Sequence, residues 1–297
     1  MQDLLSEQRG RAQRMNLRGT ALLGLIAASF TGGCGSDIPA ITGQVIQEDF
    51  PSKQVGDTYR VLVRLPPGYS SEPTRRYPVS FQLDATSFGP QFDIAAGHAS
   101  NLAAQGTIPE TIIVGIGYPY DDPLLGGKMG RSRDYVTVLD NGQPGGIDRF
   151  LLFVRQELIP YIDGKYRTDP SARALSGHSL GGFVSLYTML TTARESSPPF
   201  GRFIACDPGS PQKDTDRIYV EDGKLSASTK SLPFLLHYQI ARYDGAVQTL
   251  TFQETSARLS AHYPDLKLIT EVTDTDHGGI ISPCILRGLV SAFGGGK

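Results

Sequence analysis

The sequence predicts an α/β fold in which a mostly parallel central sheet is covered by helices on both faces. Three observations carry this prediction. Strand-like and helix-like segments alternate along the chain after residue 77. Residues 111–117 (TIIVGIG) form a short, nearly continuous apolar run, as parallel strands buried on both faces do. Apolar residues then recur at helical spacing from Phe150 to Tyr161, which predicts an amphipathic helix.

The other elements follow from periodicity and turn residues. Residues 59–65 alternate and stop at a Pro-Pro-Gly sequence, so we expect a strand that ends in a turn. Residues 37–55 lack a clear period and are expected to form a tether or an edge strand. The polar, glycine-rich stretch 118–146 is too long for a plain connection, and such loops are often functional. Further strands are expected at 77–83, 172–176, 202–206, 234–239 and 266–272, and further helices at 180–190, 250–262 and 282–293.

Residues 1–36 are predicted to be an export segment and tether, followed by a single domain over 37–297. An apolar run of ten residues, 21–30, is too short to cross a bilayer core of about 30 Å but fits the central region of a secretory signal. Small residues then lead to Cys34, as in a bacterial lipobox, although Thr31 stands where an aliphatic residue is usual. The prediction is an exported protein of the bacterial cell envelope, either periplasmic or anchored through a lipidated Cys34. A simple signal peptide cleaved nearby is the alternative, and Met15 is a second candidate start.

Composition excludes several classes of function. The chain of 297 residues has 28 Lys and Arg against 30 Asp and Glu, so no basic excess exists to neutralise a nucleic-acid backbone. No group of His, Cys and carboxylate residues has metal-ligand spacing, and no phosphate-binding glycine loop occurs, so no metal and no cofactor are expected. Cys206 and Cys284 could pair in an exported protein, or could be two free buried thiols.

One motif carries chemistry. Residues 177–181 read Gly-His-Ser-Leu-Gly, the form G-x-S-x-G, with a short predicted strand before it and an apolar predicted helix after it. That strand–turn–helix context is the one a nucleophile elbow requires, in which a tight turn lifts the serine above the carboxyl edge of the sheet. Ser179 is therefore the candidate nucleophile.

Other segments carry a resemblance to a known family. They are RYPV at 76–79 with LD at 83–84, VGIGYP at 114–119, RSRDYVT at 131–137, ELIPYIDGKYRTDP at 157–170 and RALSGHSLGG at 173–182. Together they resemble the putative-esterase family of α/β-hydrolases over roughly residues 56–290. That family includes siderophore trilactone esterases, S-formylglutathione hydrolases and feruloyl-type esterases. The resemblance implies an α/β-hydrolase fold and says much less about the substrate.

A serine hydroxyl needs a base to take its proton. His277 lies in a loop after the last predicted strand, which is where the resemblance also places the base. The side chain of His178 is expected to point away from the serine. The other histidines are expected to have packing or surface roles: His98, His237 and His262.

The order in this fold is serine, acid, histidine, so the acid should follow the strand at 234–239. Asp244 is the first carboxylate there and is the predicted triad acid, although an aspartate before a glycine is also common in turns. The other candidates are Glu254, Asp274, Asp276 and Asp207. A Ser–His dyad without an acid, as in some trilactone esterases that resemble this chain, is a further alternative.

An oxyanion hole needs backbone N–H donors aimed at the developing charge. Leu180, directly after the nucleophile, should supply one. Ala85, after the strand that ends at Asp84, is chosen for the other, with Thr86 next in line. The family commonly has glycine where this chain has Ala85.

Three residues of the glycine-rich stretch are candidate substrate-binding residues. Arg131 and Arg133 could attract anionic oxygen atoms, and Tyr135 could stack on an aromatic acyl group. This favours aromatic or anionic esters, such as siderophore-type trilactones, over long lipid esters. The alternative is that the three residues anchor the loop internally, a role that suits Arg133 beside Asp134.

The leading hypothesis is a serine carboxylic ester hydrolase that acts on a small-molecule ester. Two alternatives remain. One is an acyltransferase to a sugar or lipid acceptor, and the other is an inactive hydrolase fold that serves as a binding lipoprotein.

Overall fold

The computed structural model describes residues 38–87, 89–119, 125–209 and 212–295, without the side chains of 125–129 and 212–215. The predicted export segment 1–36, with Cys34 and Met15, lies outside these residues, so the predicted domain division stays a prediction. No helix in the described ranges is long and apolar enough to cross a membrane.

The sheet has eight strands within the described residues, in the order β1-β2-β4-β3-β5-β6-β7-β8. β1 pairs antiparallel with β2, β2 pairs antiparallel with β4, and the remaining pairs are parallel. The strands are β1 (Gln44–Ser52), β2 (Asp57–Leu65), β3 (Tyr77–Gln82), β4 (Ile112–Gly117), β5 (Thr168–His178), β6 (Arg202–Cys206), β7 (Leu235–Ala241) and β8 (Lys267–Thr273).

Eight helices accompany the sheet in the same residues, and a π-helical turn at Val154–Leu158 joins α3 to α4. Their bounds are α1 (Gln91–Ala104), α2 (Leu125–Asp134), α3 (Ile147–Phe153), α4 (Ile159–Lys165), α5 (Leu180–Thr192), α6 (Gln212–Ser226), α7 (Ala246–His262) and α8 (Ile281–Phe293).

The predicted α/β class with a mostly parallel sheet is confirmed. The stretch 37–55 contributes the edge strand β1. The sequence pattern does not predict α1 and α6, and the stretch 118–146, expected to be a loop, contains α2. Ten of the fourteen residues of α1 are buried, so the helix lacks the broad polar face that makes an amphipathic helix recognisable in a sequence.

Helices bury the two faces of the sheet in two separate cores. Neighbouring residues of a strand point to opposite faces. Val114, Leu175 and Phe203 therefore pack into the larger core, which lies under α3, α5 and α7. Their neighbours in sequence pack under α1 and α8 in the second core: Ile113, Ala174 and Ile204. Burial on both faces explains why the central strands read as continuous apolar runs.

A disulfide joins Cys206, the last residue of β6, to Cys284 of α8. Both cysteines are fully buried in the second core. The sequence leaves this pairing open, because spacing along the chain does not reveal that α8 crosses beneath the end of β6. The bond holds the carboxyl end of a central strand to the last helix.

Replacing both Cys206 and Cys284 by alanine should lower the free energy of unfolding by about 2–4 kcal/mol, because the disulfide closes a long loop in the unfolded chain. Denaturant unfolding with and without reductant measures this. Reductant should lower the midpoint of the wild type and leave that of the double variant unchanged. A loss of less than about 1 kcal/mol would contradict a stabilising role for the disulfide.

Candidate active site

A sharp turn between β5 and α5 presents Ser179. Its backbone is left-handed, with φ 58° and ψ −123°, which is unusual for a residue with a side chain. The turn closes because glycines surround it. A Cβ on Gly177 would lie 2.4 Å from the Gly181 backbone, and one on Gly182 would lie 2.9 Å from the carbonyl oxygen of Cys206. The Ser179 amide donates a hydrogen bond of 3.0 Å to that same carbonyl, which ties the turn to β6.

His277 lies in the loop after β8, and two carboxylates face one nitrogen of its ring. Its Nδ1 is 2.8 Å from Oδ2 of Asp207 and 3.2 Å from Oδ2 of Asp244. The hydrogen bond to Asp207, opposed by burial and aided by the charge of Asp244, raises the pKa of His277. The structure thus brings the predicted acid Asp244 to His277, together with Asp207, which was one of the other candidate acids.

Asp207 is the more firmly held of the two carboxylates. It follows β6 directly, has φ 43° and is fully buried. Its amide donates to the Gln239 carbonyl at 2.7 Å, and its Oδ1 accepts the Ala241 amide at 3.2 Å. Asp244 is partly exposed, and burial together with the Asp207 charge raises its pKa. Glu254 instead accepts a hydrogen bond from Tyr219.

His178 contacts His277, a role that its expected orientation away from the serine does not include. Its ring packs on that of His277, with centroids 4.4 Å apart. Its Nε2 lies 2.7 Å from the His277 carbonyl oxygen. It donates a hydrogen bond to that oxygen and so helps to hold the loop that carries His277. Burial, followed by the nearby His277, lowers the pKa of His178 to about 4, so its ring is neutral at ordinary pH.

The structure corrects one of the two predicted oxyanion donors. The Ala85 amide donates a hydrogen bond of 3.0 Å to the Ile116 carbonyl, so it is not free to bind an oxyanion. Sequence alone does not reveal this, because the acceptor belongs to the neighbouring strand β4. The next residue is Thr86. Among the described residues, neither its amide nor the amide of Leu180 at the start of α5 donates a hydrogen bond to an acceptor.

Arg131 and Arg133 of α2, which were predicted to bind substrate, have partners within the protein. Arg131 Nε donates to Asp84 Oδ1 at 2.9 Å and Nη2 donates to the His178 carbonyl at 3.3 Å. Arg133 pairs with Asp57 and Asp134. The prediction that Arg131, Arg133 and Tyr135 bind substrate is therefore not supported. Its alternative, internal anchoring, fits these contacts.

Tyr135 is fully buried, and its ring lies 5.2 Å from that of Phe150, so it cannot stack on a substrate. The physical reason is that the segment before it is helical. A helix turns successive side chains by about 100°, so residues that a loop would expose point into the protein.

Gly209 borders the space between the serine and the histidine. A Cβ there would lie 3.5 Å from Ser179 Oγ and 3.8 Å from His277 Cε1. No hydrogen bond joins the Ser179 hydroxyl to the His277 ring in the described residues, and catalytic hydrogen bonds are often long without substrate.

One group of side chains could hold a metal ion by distance alone. Ligand atoms of His178, Asp207 and His277 all lie within 4.8 Å of one another. Sequence spacing did not reveal this group, because its members come from three separate strands or loops. The hydrogen bonds described above account for the close approach of these atoms.

The fold is that of an α/β-hydrolase, and comparisons with known proteins agree. An IroE-like serine hydrolase from Shewanella oneidensis is 25% identical with a TM-score of 0.69, over 83% of this chain and 79% of that one. The BES protein from Bacillus cereus has a TM-score of 0.70 at 22% identity, over 88% of this chain and 99% of that one, and so supports the fold.

Sequence comparison adds the family. The family model described as "Putative esterase" matches residues 52–238, more than half of the chain, so the chain belongs to that family. The ferri-bacillibactin esterase BesA of Bacillus subtilis (strain 168) is 29% identical over 153 residues, 47% of this chain and 51% of that protein. The match therefore spans about half the length of that relative. YjcH of the same species, described as uncharacterized, is 28% identical over 209 residues, which are 70% of this chain and 76% of the length of YjcH.

Replacing Arg131 by methionine should destabilise the fold by about 3–5 kcal/mol at neutral pH, because it leaves Asp84 buried without its ion-pair partner. Asp84 is fully buried, and burial raises its pKa. The unpaired carboxyl would take up a proton as the pH falls, so the loss should shrink in acidic buffer.

Denaturant unfolding at two pH values measures this loss. Arg287→Met is the matched control, because its pair with Glu271 is exposed and should contribute less than about 1 kcal/mol. Equal losses in the two variants would show that the Arg131–Asp84 pair has no special role.

Proposed function

We propose that this protein is a serine carboxylic ester hydrolase with Ser179 as nucleophile and His277 as general base. One observation carries the proposal. A serine held in a left-handed turn at the carboxyl edge of the sheet stands beside an imidazole whose Nδ1 faces two carboxylates. Membership of the family described as "Putative esterase" supports the same reaction class.

The hydrogen bond at Nδ1 selects the working form of the base. When Nδ1–H donates to Asp207, the lone pair of the neutral ring is on Nε2. As Ser179 Oγ bonds to the ester carbonyl carbon, its proton passes to Nε2 and the carbonyl electron pair moves to oxygen. The intermediate then collapses, the bond to the alcohol oxygen breaks, and Nε2–H protonates that alcohol. Water repeats the two steps on the acyl-enzyme and releases the acid.

Two amides are proposed to stabilise the oxyanion. Leu180 begins α5, so its N–H has no acceptor within the helix and lies at the positive end of the helix dipole. Thr86 takes the place expected of Ala85. Its side chain supports the turn, because its Oγ1 donates to the Tyr118 carbonyl and accepts the Tyr118 amide.

Asp207 is proposed as the acid that orients His277. It has the shorter contact, is completely buried, and is fixed by backbone hydrogen bonds to β7. A buried, fixed carboxylate holds the imidazole in one orientation and stabilises the imidazolium that forms during proton transfer.

The proposed substrate is a small siderophore-type ester. The support comes from relatives, which include the BesA protein and a siderophore enterobactin esterase of Emericella nidulans. Arg131, Arg133 and Tyr135 do not support this choice, because their side chains bind within the protein.

We also propose that the protein is exported to the cell envelope with an anchor at Cys34. The buried disulfide Cys206–Cys284 supports export, because disulfides persist in oxidising compartments. The ten-residue apolar run that precedes Cys34 supports the same conclusion.

Replacing Ser179 by alanine should lower kcat for a chromogenic ester by about 10³-fold or more, because the nucleophile and base act as a unit. Labelling by a fluorophosphonate should be lost at the same time. Ser185→Ala is the matched control, because Ser185 is a buried serine of α5, the helix that follows Ser179, and its hydroxyl donates to the Gly181 carbonyl. Retention of labelling in Ser179→Ala, with unchanged folding by circular dichroism, would reject the proposed nucleophile.

Mass spectrometry of the mature protein should find diacylglycerol and an acyl chain on Cys34, and Cys34→Ser should move the protein from the membrane to the soluble fraction. Two acyl signals give stable anchoring, whereas one gives weak and reversible binding. A mature chain that begins beyond Cys34 would contradict the anchor and leave export intact.

A further inference from the structure

The two carboxylates at His277 raise a question that a single triad acid does not. A ring nitrogen carries one hydrogen, which makes one good hydrogen bond. Asp207, at 2.8 Å, meets that need, yet Asp244 lies only 3.2 Å from the same Nδ1. The orientation of the ring therefore leaves the position of Asp244 unexplained.

The backbone holds Asp244 in this position. The Arg242 amide donates to the Thr273 carbonyl at 2.8 Å, and the Tyr243 amide donates to the Thr275 carbonyl at 3.1 Å. These bonds join the segment before Asp244 to the segment before His277. Gly245 follows with φ 101°, a conformation that suits glycine, and turns the chain into α7. The pairing of the two loops thus places residue 244 beside the histidine loop.

The other charged groups around His277 are already engaged. Asp274 pairs with Arg242, and Asp276 accepts the Gly279 amide. His178 packs against the ring from β5 and is neutral, since burial lowers its pKa to about 4. In the described part of the chain, Asp207 and Asp244 are therefore the two charges in direct contact with His277.

The two acids differ in exposure, and this separates their tasks. The Asp207 side chain is 0% exposed and that of Asp244 is 28% exposed. Resting on the proposed function, we infer that Asp244 is a positioning residue that adjusts the range of acidity over which His277 acts as a base, while Asp207 orients the ring. Near neutrality the Asp244 charge strengthens the base. In acid, Asp244 takes up a proton from solvent, and its support for the imidazolium disappears.

The sign of the effect follows from these contacts. Both carboxylates raise the pKa of His277, and the Asp207 charge, after burial, raises the pKa of Asp244. Removing the Asp244 charge should lower the pKa of His277. The acid limb of the rate profile should then move to lower pH, and the plateau rate should fall modestly because the base is weaker.

The test compares wild type with Asp244→Asn, Asp207→Asn and Asp274→Asn by kcat/KM against pH on one soluble ester in a pH-stat. Asp244→Asn should move the acid limb to lower pH with less than about a tenfold loss of plateau kcat, whereas Asp207→Asn should lose about 10²–10⁴-fold. Asp274→Asn, which removes a charge from the same loop, should match the wild type. An unmoved acid limb in Asp244→Asn, or a loss of kcat equal to that of Asp207→Asn, would overturn the inference.

A second measurement does not depend on turnover. In the Ser179→Ala background, NMR titration of the His277 ring should show that Asp244→Asn lowers its pKa and that Asp274→Asn leaves it in place. An unchanged titration would overturn the inference even if the esterase activity is real. Conversely, if the titration shifts but the wild type hydrolyses no ester, the proposed function is rejected and the coupling of Asp244 to His277 is retained.

Discussion

The site depends on three residues that have side chains but adopt a left-handed backbone. Asp84, Ser179 and Asp207 have φ of 55°, 58° and 43°, and within the described residues they are the three that are not glycine. They lie just beyond the carboxyl ends of β3, β5 and β6, which are adjacent in the sheet. Each such turn costs roughly 1–3 kcal/mol, so each needs neighbours that hold it in place.

Those neighbours form a chain of support across the sheet. The turn at Asp84 is held by Arg131 from α2, which also binds the His178 carbonyl. The turn at Ser179 is held by the carbonyl of Cys206 on β6, and the turn at Asp207 by the carbonyl of Gln239 on β7. The turns after β5 and β6 are therefore each fixed by the neighbouring strand. The nucleophile and the proposed acid are positioned mainly by backbone hydrogen bonds.

The disulfide lies in the middle of this series of hydrogen bonds, between the turn at Ser179 and the turn at Asp207. Cys206 accepts the Ser179 amide through its carbonyl, precedes Asp207, and is joined through sulfur to α8. The helix α8 itself follows the loop that carries His277. One covalent bond thus connects the strand end between serine and acid with the element that leaves the histidine loop. Its position couples the stability of the second core to the geometry of the site.

The sequence predicted the layered α/β fold because its signals are local: apolar runs, turn residues and helical periodicity. The strand–turn–helix around Ser179 was visible for the same reason. Ala85 was misjudged because the partner of its amide lies on another strand, and hydrogen-bond direction at a turn leaves no trace in composition. Tyr135 was misjudged because a glycine-rich stretch contained a helix. Its ring packs on Phe150 of the next helix, α3, a contact that the segment itself does not encode.

The acid shows a different limit, one set by topology. The order of triad residues along the chain predicts an acid after β7 and so favours Asp244. In the sheet, however, β6 and β7 are neighbours, and parallel neighbours end about 4.8 Å apart at the same edge. A carboxylate after either strand can therefore reach the same imidazole nitrogen, and here both do. Adjacency in the sheet decides which carboxylates can reach His277. Burial then separates the residue that can orient a ring from the one that can respond to the solvent.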